Sequence, residues 1–268
     1  MGIFPWPWVK TDPRLDALLT AWDRVNQNVR EIHYTIETTL EDWASKEKRM
    51  CRIEGSVKRP GLGRVDFRDE KGNLKQVLLW HDDLLYTCNL ERKQLYRFDL
   101  IPDEWFPFGA MSNVELFGYN FSRKTLKEHF DLQLEKEDRE CAYIRLVPRK
   151  KEDRSWVREI EIILNEKTYL VQQIRILDFK ESWVIHDYQQ IEINPNRSIT
   201  LEALTKDLPR GPKGLEGWTG FDWSRLCLPV LRLENGQVVL PEEEPKELGF
   251  RRWSNNLASW FGQIFHVP

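Results

Sequence analysis

The side chains that could do chemistry are few, and their spacing keeps them apart. His81, Asp82 and Asp83 offer an imidazole and two carboxylates, a donor set suited to a divalent metal. Three adjacent residues on a turn cannot all point at one ion, so a polar turn between two strands is the expected reading. His186 and Asp187 are consecutive on an extended segment and therefore project to opposite faces, which prevents them from acting as an acid–base pair; both are expected at the surface or rim. Glu135 and Glu137, and likewise Glu159 and Glu161, each share one face of a strand. Alternating acids of this kind mark the solvated side of an amphipathic strand. Cys51, Cys88, Cys141 and Cys227 stand singly, with no CxxC pair and no His at metal-ligand spacing. The first three fall inside apolar strand patterns, where a reduced Cys behaves as a small hydrophobe, with a Cys51–Cys88 pairing as the alternative. No GxSxG, GxGxxG or GxxxxGK[ST] motif occurs. These residues predict no catalytic residue, metal or cofactor.

The elements that would position such groups are legible from periodicity. After Thr11, Asp12 and Pro13, the segment RLDALLTAWDRVNQNVRE places Leu15, Leu18, Leu19, Trp22, Val25 and Val29 on one helical face, with a capping residue and a proline at its start. From Ile32 the period becomes two, with Ile32, Tyr34, Ile36, Thr38 and Leu40 alternating with polar residues. Strands are expected at 50–57 and 63–68 around the turn RPGLG, then at 76–80, 84–88 and 94–98 in a meander. The aromatic, proline-bearing segment 101–109 connects to short helices near 113–119 and at SRKTLKEHF, where Ser122 caps. Strands resume at 131–136, 141–147, 157–165, 170–179 and 182–193. About ten strands are more than a flat sheet carries without curling. The fold class is therefore α+β: a strongly curved antiparallel sheet, an incomplete β-barrel, with an N-terminal helix and short inserted helices over its concave face.

Composition bounds the partners. Lys and Arg total 40 against 43 Asp and Glu, a net charge of -3, so no basic field exists to attract nucleic acid. No run of eighteen apolar residues would cross a membrane as a helix, and Met1 to Lys10 lacks the pattern of a secretion signal. After Asn194 the composition shifts to Pro/Gly loops and ends in a stripe at 250–267, which makes 1–204 the main domain and 205–268 an extension with an amphipathic helix. Six of the twelve tryptophans, Trp6, Trp8, Trp218, Trp223, Trp253 and Trp260, lie toward the two ends. They either fill the mouth of the sheet, which general burial tendencies favour, or touch lipid headgroups or a partner.

Several phrases resemble the LolA-like outer-membrane lipoprotein carrier fold, and more closely an uncharacterised planctomycete family of single domains. They are LDALLTAWDRV, EGSVKRPGLGRVDFRD, VLLWHDDLLYTCNLERKQLYRF, FDLQLEKEDRECAYIRLVPR, REIEIILNEKTYLVQQIRILD and ITLEAL, spanning Leu15 to Leu204. The resemblance implies a half-barrel that holds acyl chains or another apolar ligand, in a protein that is exported or periplasmic. Alternation places Ile36, Phe67, Leu79, Tyr86, Tyr96, Ile144, Ile162 and Ile174 as the lining of such a cavity. Trp253, Leu257, Trp260, Phe261 and Phe265 form the stripe of a plug or interface. The function expected is a non-catalytic carrier of a lipid or lipoprotein acyl chain. The alternative is a protein-interaction scaffold whose sheet interior is filled by its own helices and tail.

Overall fold

In a computed structural model the described residues are 12–82, 84–99, 122–150, 154 and 157–208, with the backbone alone at 219–222, 231–234 and 237–239. Among these residues, helix α1 spans Pro13–Asn28, where Asp12 accepts from the Arg14 amide at 2.8 Å and Pro13 occupies the first turn. Its buried stripe is Leu15, Leu18, Leu19 and Trp22. Helix α2, Arg123–His129, follows Ser122 as its spacing predicts, and the helix expected at 113–119 lies outside the described residues. Helix α3, Leu201–Thr205, is capped by Thr200, whose hydroxyl accepts from the Ala203 amide.

Strands β1 (Glu31–Glu41), β2 (Lys48–Lys58), β3 (Leu62–Arg68), β4 (Leu74–His81), β5 (Leu84–Asn89) and β6 (Gln94–Asp99) form one antiparallel meander. Strands β7 (Phe130–Glu137), β8 (Cys141–Pro148), β9 (Val157–Asn165), β10 (Val171–Asp178) and β11 (Trp183–Ile193) form a second. The two meanders join where β1 pairs with β11. Short strands β12 (Thr219–Asp222), β13 (Leu231–Glu234) and β14 (Gln237–Val239) extend the β6 edge, β12 lying parallel to β6. The resulting order is β14-β13-β12-β6-β5-β4-β3-β2-β1-β11-β10-β9-β8-β7, an open sheet whose ends do not pair. The architecture is that of a curved half-barrel.

Two apolar clusters lie on opposite faces of this sheet. The larger gathers Leu15, Leu19 and Trp22 of α1 and Leu126 of α2 against the inner face of β1–β5 and β7–β11. The smaller covers the outer face of β3–β6, where Val77, Leu79 and Cys88 meet Ile199, Leu204 and Leu208 around α3. The compositional boundary after residue 204 falls inside α3, so residues beyond it, Asp207 and Leu208 among them, pack on the sheet.

Ionic contacts hold the helices in place. Arg14 at the start of α1 reaches Glu137 at the end of β7 and Glu166 in the turn after β9. Asp16 accepts from Arg123 at 2.6 Å and from Lys127, tying α1 to α2. Hydrogen bonds from Lys127 and Arg123 hold the Asp16 carboxyl below its usual range. Asn194 fastens the other end of α1 to the sheet, accepting from the amides of Arg30 and Glu31 and donating to the Asn28 carbonyl.

Candidate functional site

The inner face can be read as cross-strand rows, because directly paired residues in an antiparallel sheet point to the same side. One row runs Trp80, Gly63, Val57, Ile32, Ile193, and the next runs Leu78, Val65, Gly55, Tyr34, Ile191. A third is Gln76, Phe67, Ile53, Ile36, Tyr188. A fourth crosses the seam between the meanders as Cys51, Thr38, His186, Ile174, Ile162, Ile144, Leu134. None of these side chains is an acid, a lysine or an arginine. The acids at alternating positions instead pair across strands on the outer face, Glu159 with Arg145 and Glu161 with Arg175.

Two glycines shape the first two rows. The Tyr34 ring lies over Gly55 and the Trp80 ring over Gly63, so closely that a Cβ at either glycine would sit inside the ring. The sheet thereby accepts aromatic rings flat against its backbone, filling the layer beneath α1.

The polar groups of this face sit where they matter energetically. Thr38 Oγ1 lies 2.8 Å from His186 Nδ1, and both residues are buried. Desolvation pushes the His186 pKa down to about 3, so the ring is neutral at ordinary pH. The Cys51 thiol, hydrogen-bonded to Thr38, is pushed up to about 12 by burial, which leaves it protonated and a poor nucleophile. Gln76 Nε2 and Trp22 Nε1 are buried side-chain donors with no hydrogen-bond partner among the described residues. A buried donor left without an acceptor is destabilising by about 1–3 kcal/mol, so each such group invites an acceptor from elsewhere.

The structure parts the residues expected to line a cavity. Ile36 and Phe67 share the third row, and Ile144, Ile162 and Ile174 share the fourth, so these five meet on the inner face. Leu79 and Tyr86 pair with each other but belong to the outer cluster under α3, which corrects their assignment to the cavity. The reason is local: five consecutive residues of β4, Gln76 to Trp80, are buried, so alternation cannot tell inner from outer there. Tyr96 pairs with Thr87 in register, and its side chain lies outside the described residues, as do Trp253, Leu257, Trp260, Phe261 and Phe265.

His186 is a second correction, since it is buried at 2% exposure rather than placed at the rim. Its position between Val184 and Tyr188 on the apolar parity of β11 is the signal that identifies it. The alternative Cys51–Cys88 pairing is also resolved: the two thiols are free and lie in clusters on opposite faces. His81 Nε2 lies 3.6 Å from an Asp82 carboxylate on an exposed turn, and Asp83 is outside the described residues. No described helix is long and apolar enough to cross a membrane.

No protein-family model matches the chain, and no curated protein does. Solved structures similar to it include an uncharacterised conserved protein from Thermus thermophilus, at 12% identity over 72% of this chain and 93% of that one, with a TM-score of 0.45. A LolA superfamily protein from Nitrosomonas europaea is 10% identical over 72% of this chain and 97% of that one, with a TM-score of 0.37. A chain of the Pseudomonas aeruginosa MucA/MucB complex is 14% identical over 71% of this chain and 60% of that one, with a TM-score of 0.40.

Proposed function

We propose that this chain is a non-catalytic carrier that holds a lipid, an acyl chain or another apolar ligand against the inner face of the sheet. The observation that carries the reading is an uncharged inner face four rows deep, with two buried donors, Gln76 Nε2 on the sheet and Trp22 Nε1 on α1 above it, that have no acceptor among the described residues. An amphiphile with an apolar body and one carbonyl or carboxylate suits such a surface. Burial of its chain supplies about 0.8 kcal/mol per methylene. Ile36, Phe67, Ile144, Ile162 and Ile174 are the lining we assign. In this reading the chain is a relative of the planctomycete single-domain family, and Trp253, Leu257, Trp260, Phe261 and Phe265 gate the site. The inner-face reactive groups, Cys51 and His186, are both held in their neutral forms, which fits binding rather than turnover.

A scaffold is the second reading, favoured by the rings of Tyr34 and Trp80 that already fill space over Gly55 and Gly63. In it the C-terminal stripe meets a protein partner or completes the core. Native mass spectrometry of the gently purified full chain distinguishes the two. A carrier shows a co-purified acyl-bearing mass; an apo mass together with no uptake of a fluorescent fatty acid rejects it. Deleting residues 250–268 adds a second contrast: a gated carrier then binds apolar probes more tightly, whereas a filled scaffold loses stability with no gain in affinity.

A further inference from the structure

Neutral polar side chains enter the inner face at the seam and again on the flank formed by β4 and β5. At the seam Thr38 bonds to both His186 and the Cys51 thiol. On the flank, Leu78, Trp80 and Leu85 belong to the inner cluster, and the same parity turns Gln76 of β4 and Thr87 and Asn89 of β5 toward it. Gln76 pairs directly with Asn89 on one side and Phe67 on the other, and Thr87 pairs with Leu78 one step along the same face. Gln76 is 3% exposed, and its Nε2 has no hydrogen-bond partner among the described residues. A donor so placed destabilises the fold by itself and is a ready contact for a ligand that brings an acceptor.

The charges around Gln76 decide which acceptor suits it. The inner-face rows hold no lysine or arginine. Lys75, beside Gln76 in β4, points the other way and pairs with Asp69 and Glu91. Arg92 and Lys93 are exposed in the turn between β5 and β6, together with Glu91. Arg123 and Lys127 of α2 are bound to Asp16, and Arg59 donates to the Asn26 carbonyl. An anion beside Gln76 would lose its hydration and gain no counter-ion among the described residues, a cost that one hydrogen bond from a neutral amide does not offset. A neutral carbonyl loses less on burial and still accepts the Nε2 proton.

We propose, resting on the carrier reading, that Gln76 Nε2 donates to the neutral carbonyl of an acyl ester, so that the site prefers esterified chains to free carboxylates of the same length. In an ester the acceptor sits at the head of the apolar chain. From Gln76 that chain runs across the strands along the third row, over Phe67, Ile53 and Ile36.

The test is displacement of the neutral dye Nile red from the delipidated full chain at pH 8 by methyl laurate, by laurate and by tridecane. In wild type the ester should bind about tenfold more tightly than either the carboxylate or the hydrocarbon. Gln76→Met should bring the ester down to the affinity of tridecane and leave tridecane unchanged. Without ligand, Gln76→Met should be at least as stable as wild type, because it removes a buried donor that has no acceptor. Laurate binding as tightly as its ester, or an ester preference that survives in Gln76→Met, would overturn the head-group assignment and leave the carrier reading standing. A loss of stability in ligand-free Gln76→Met would show that the chain supplies its own acceptor and would overturn the assignment as well. No uptake of Nile red, or no displacement by any of the three, would remove the carrier reading and this assignment together.

Discussion

At Thr38 three strands are joined by side chains as well as backbone, since its hydroxyl meets both His186 and the Cys51 thiol in a row otherwise made of isoleucines and a leucine. His186 shows what this burial implies for acid stability. Its folded-state pKa, about 3, lies below the 6.5 of the unfolded ring, so on acidification the unfolded chain takes up a proton that the folded one refuses. The stability it contributes is present above pH 6.5 and is lost as pH falls toward 3, with a slope of about 1 kcal/mol per pH unit through the middle of that window. Urea denaturation from pH 7 to 4 should show this slope in wild type and a shallower one in His186→Gln; equal slopes would remove His186 as the cause. The same row shows what is legible in a sequence. Cys51 alternates with Ile53, and Ile174 with Ile176, so their burial follows from type and parity. His186 is obscured because a titratable residue reads as a surface residue unless its parity is given more weight than its type.

Between elements, the most consequential contact is Arg64 beneath α3. Its guanidinium donates to both carboxylate oxygens of Asp66, at 2.6 and 3.0 Å, to the Leu204 carbonyl at 2.7 Å and to Asp207 at 2.9 Å. Arg64 and Asp66 are buried, and burial raises the Asp66 pKa against the opposing pull of Arg64. Removing Arg64 leaves that buried acid with only a longer contact to Arg68 at 3.4 Å, so Arg64→Met should destabilise the fold by about 3–5 kcal/mol. Asp207, with 56% of its side chain exposed, should lose no more than about 1 kcal/mol on change to Asn. Adding Asp66→Leu to Arg64→Met should restore much of the loss. Equal effects from the two single variants in equilibrium unfolding would rule out the buried pair as the anchor. Strand boundaries are readable to within a few residues because β1, β2 and β8–β11 carry clear alternation. The seat of α3 is not, because Arg64 and Asp66 on an apolar strand look solvated until the segment 199–208 is seen to cover them.

For the whole molecule, topology divides the sheet into two local meanders and one distant seam. The seam pairs residues such as Thr38 and His186, which are 148 positions apart, while every other pairing among β1–β11 joins consecutive strands. Chain closure over such a distance is slow, so in pulsed hydrogen exchange during refolding the β1–β11 amides should gain protection after those between β2 and β5 and between β8 and β10. Simultaneous protection across all strands would contradict two units meeting late. The curled sheet is legible from strand number, but not the identity of its seam, because nothing in a single sequence states which of many apolar strands lies beside β1. That seam also has a consequence for biosynthesis. On a ribosome β1 emerges long before β11, so its outer edge of unpaired amides waits through the translation of roughly the next 140 residues, each added at about 5–20 per second. For those seconds the nascent first meander is an open template for another nascent chain, and the crowding of neighbouring ribosomes on one message becomes a determinant of yield.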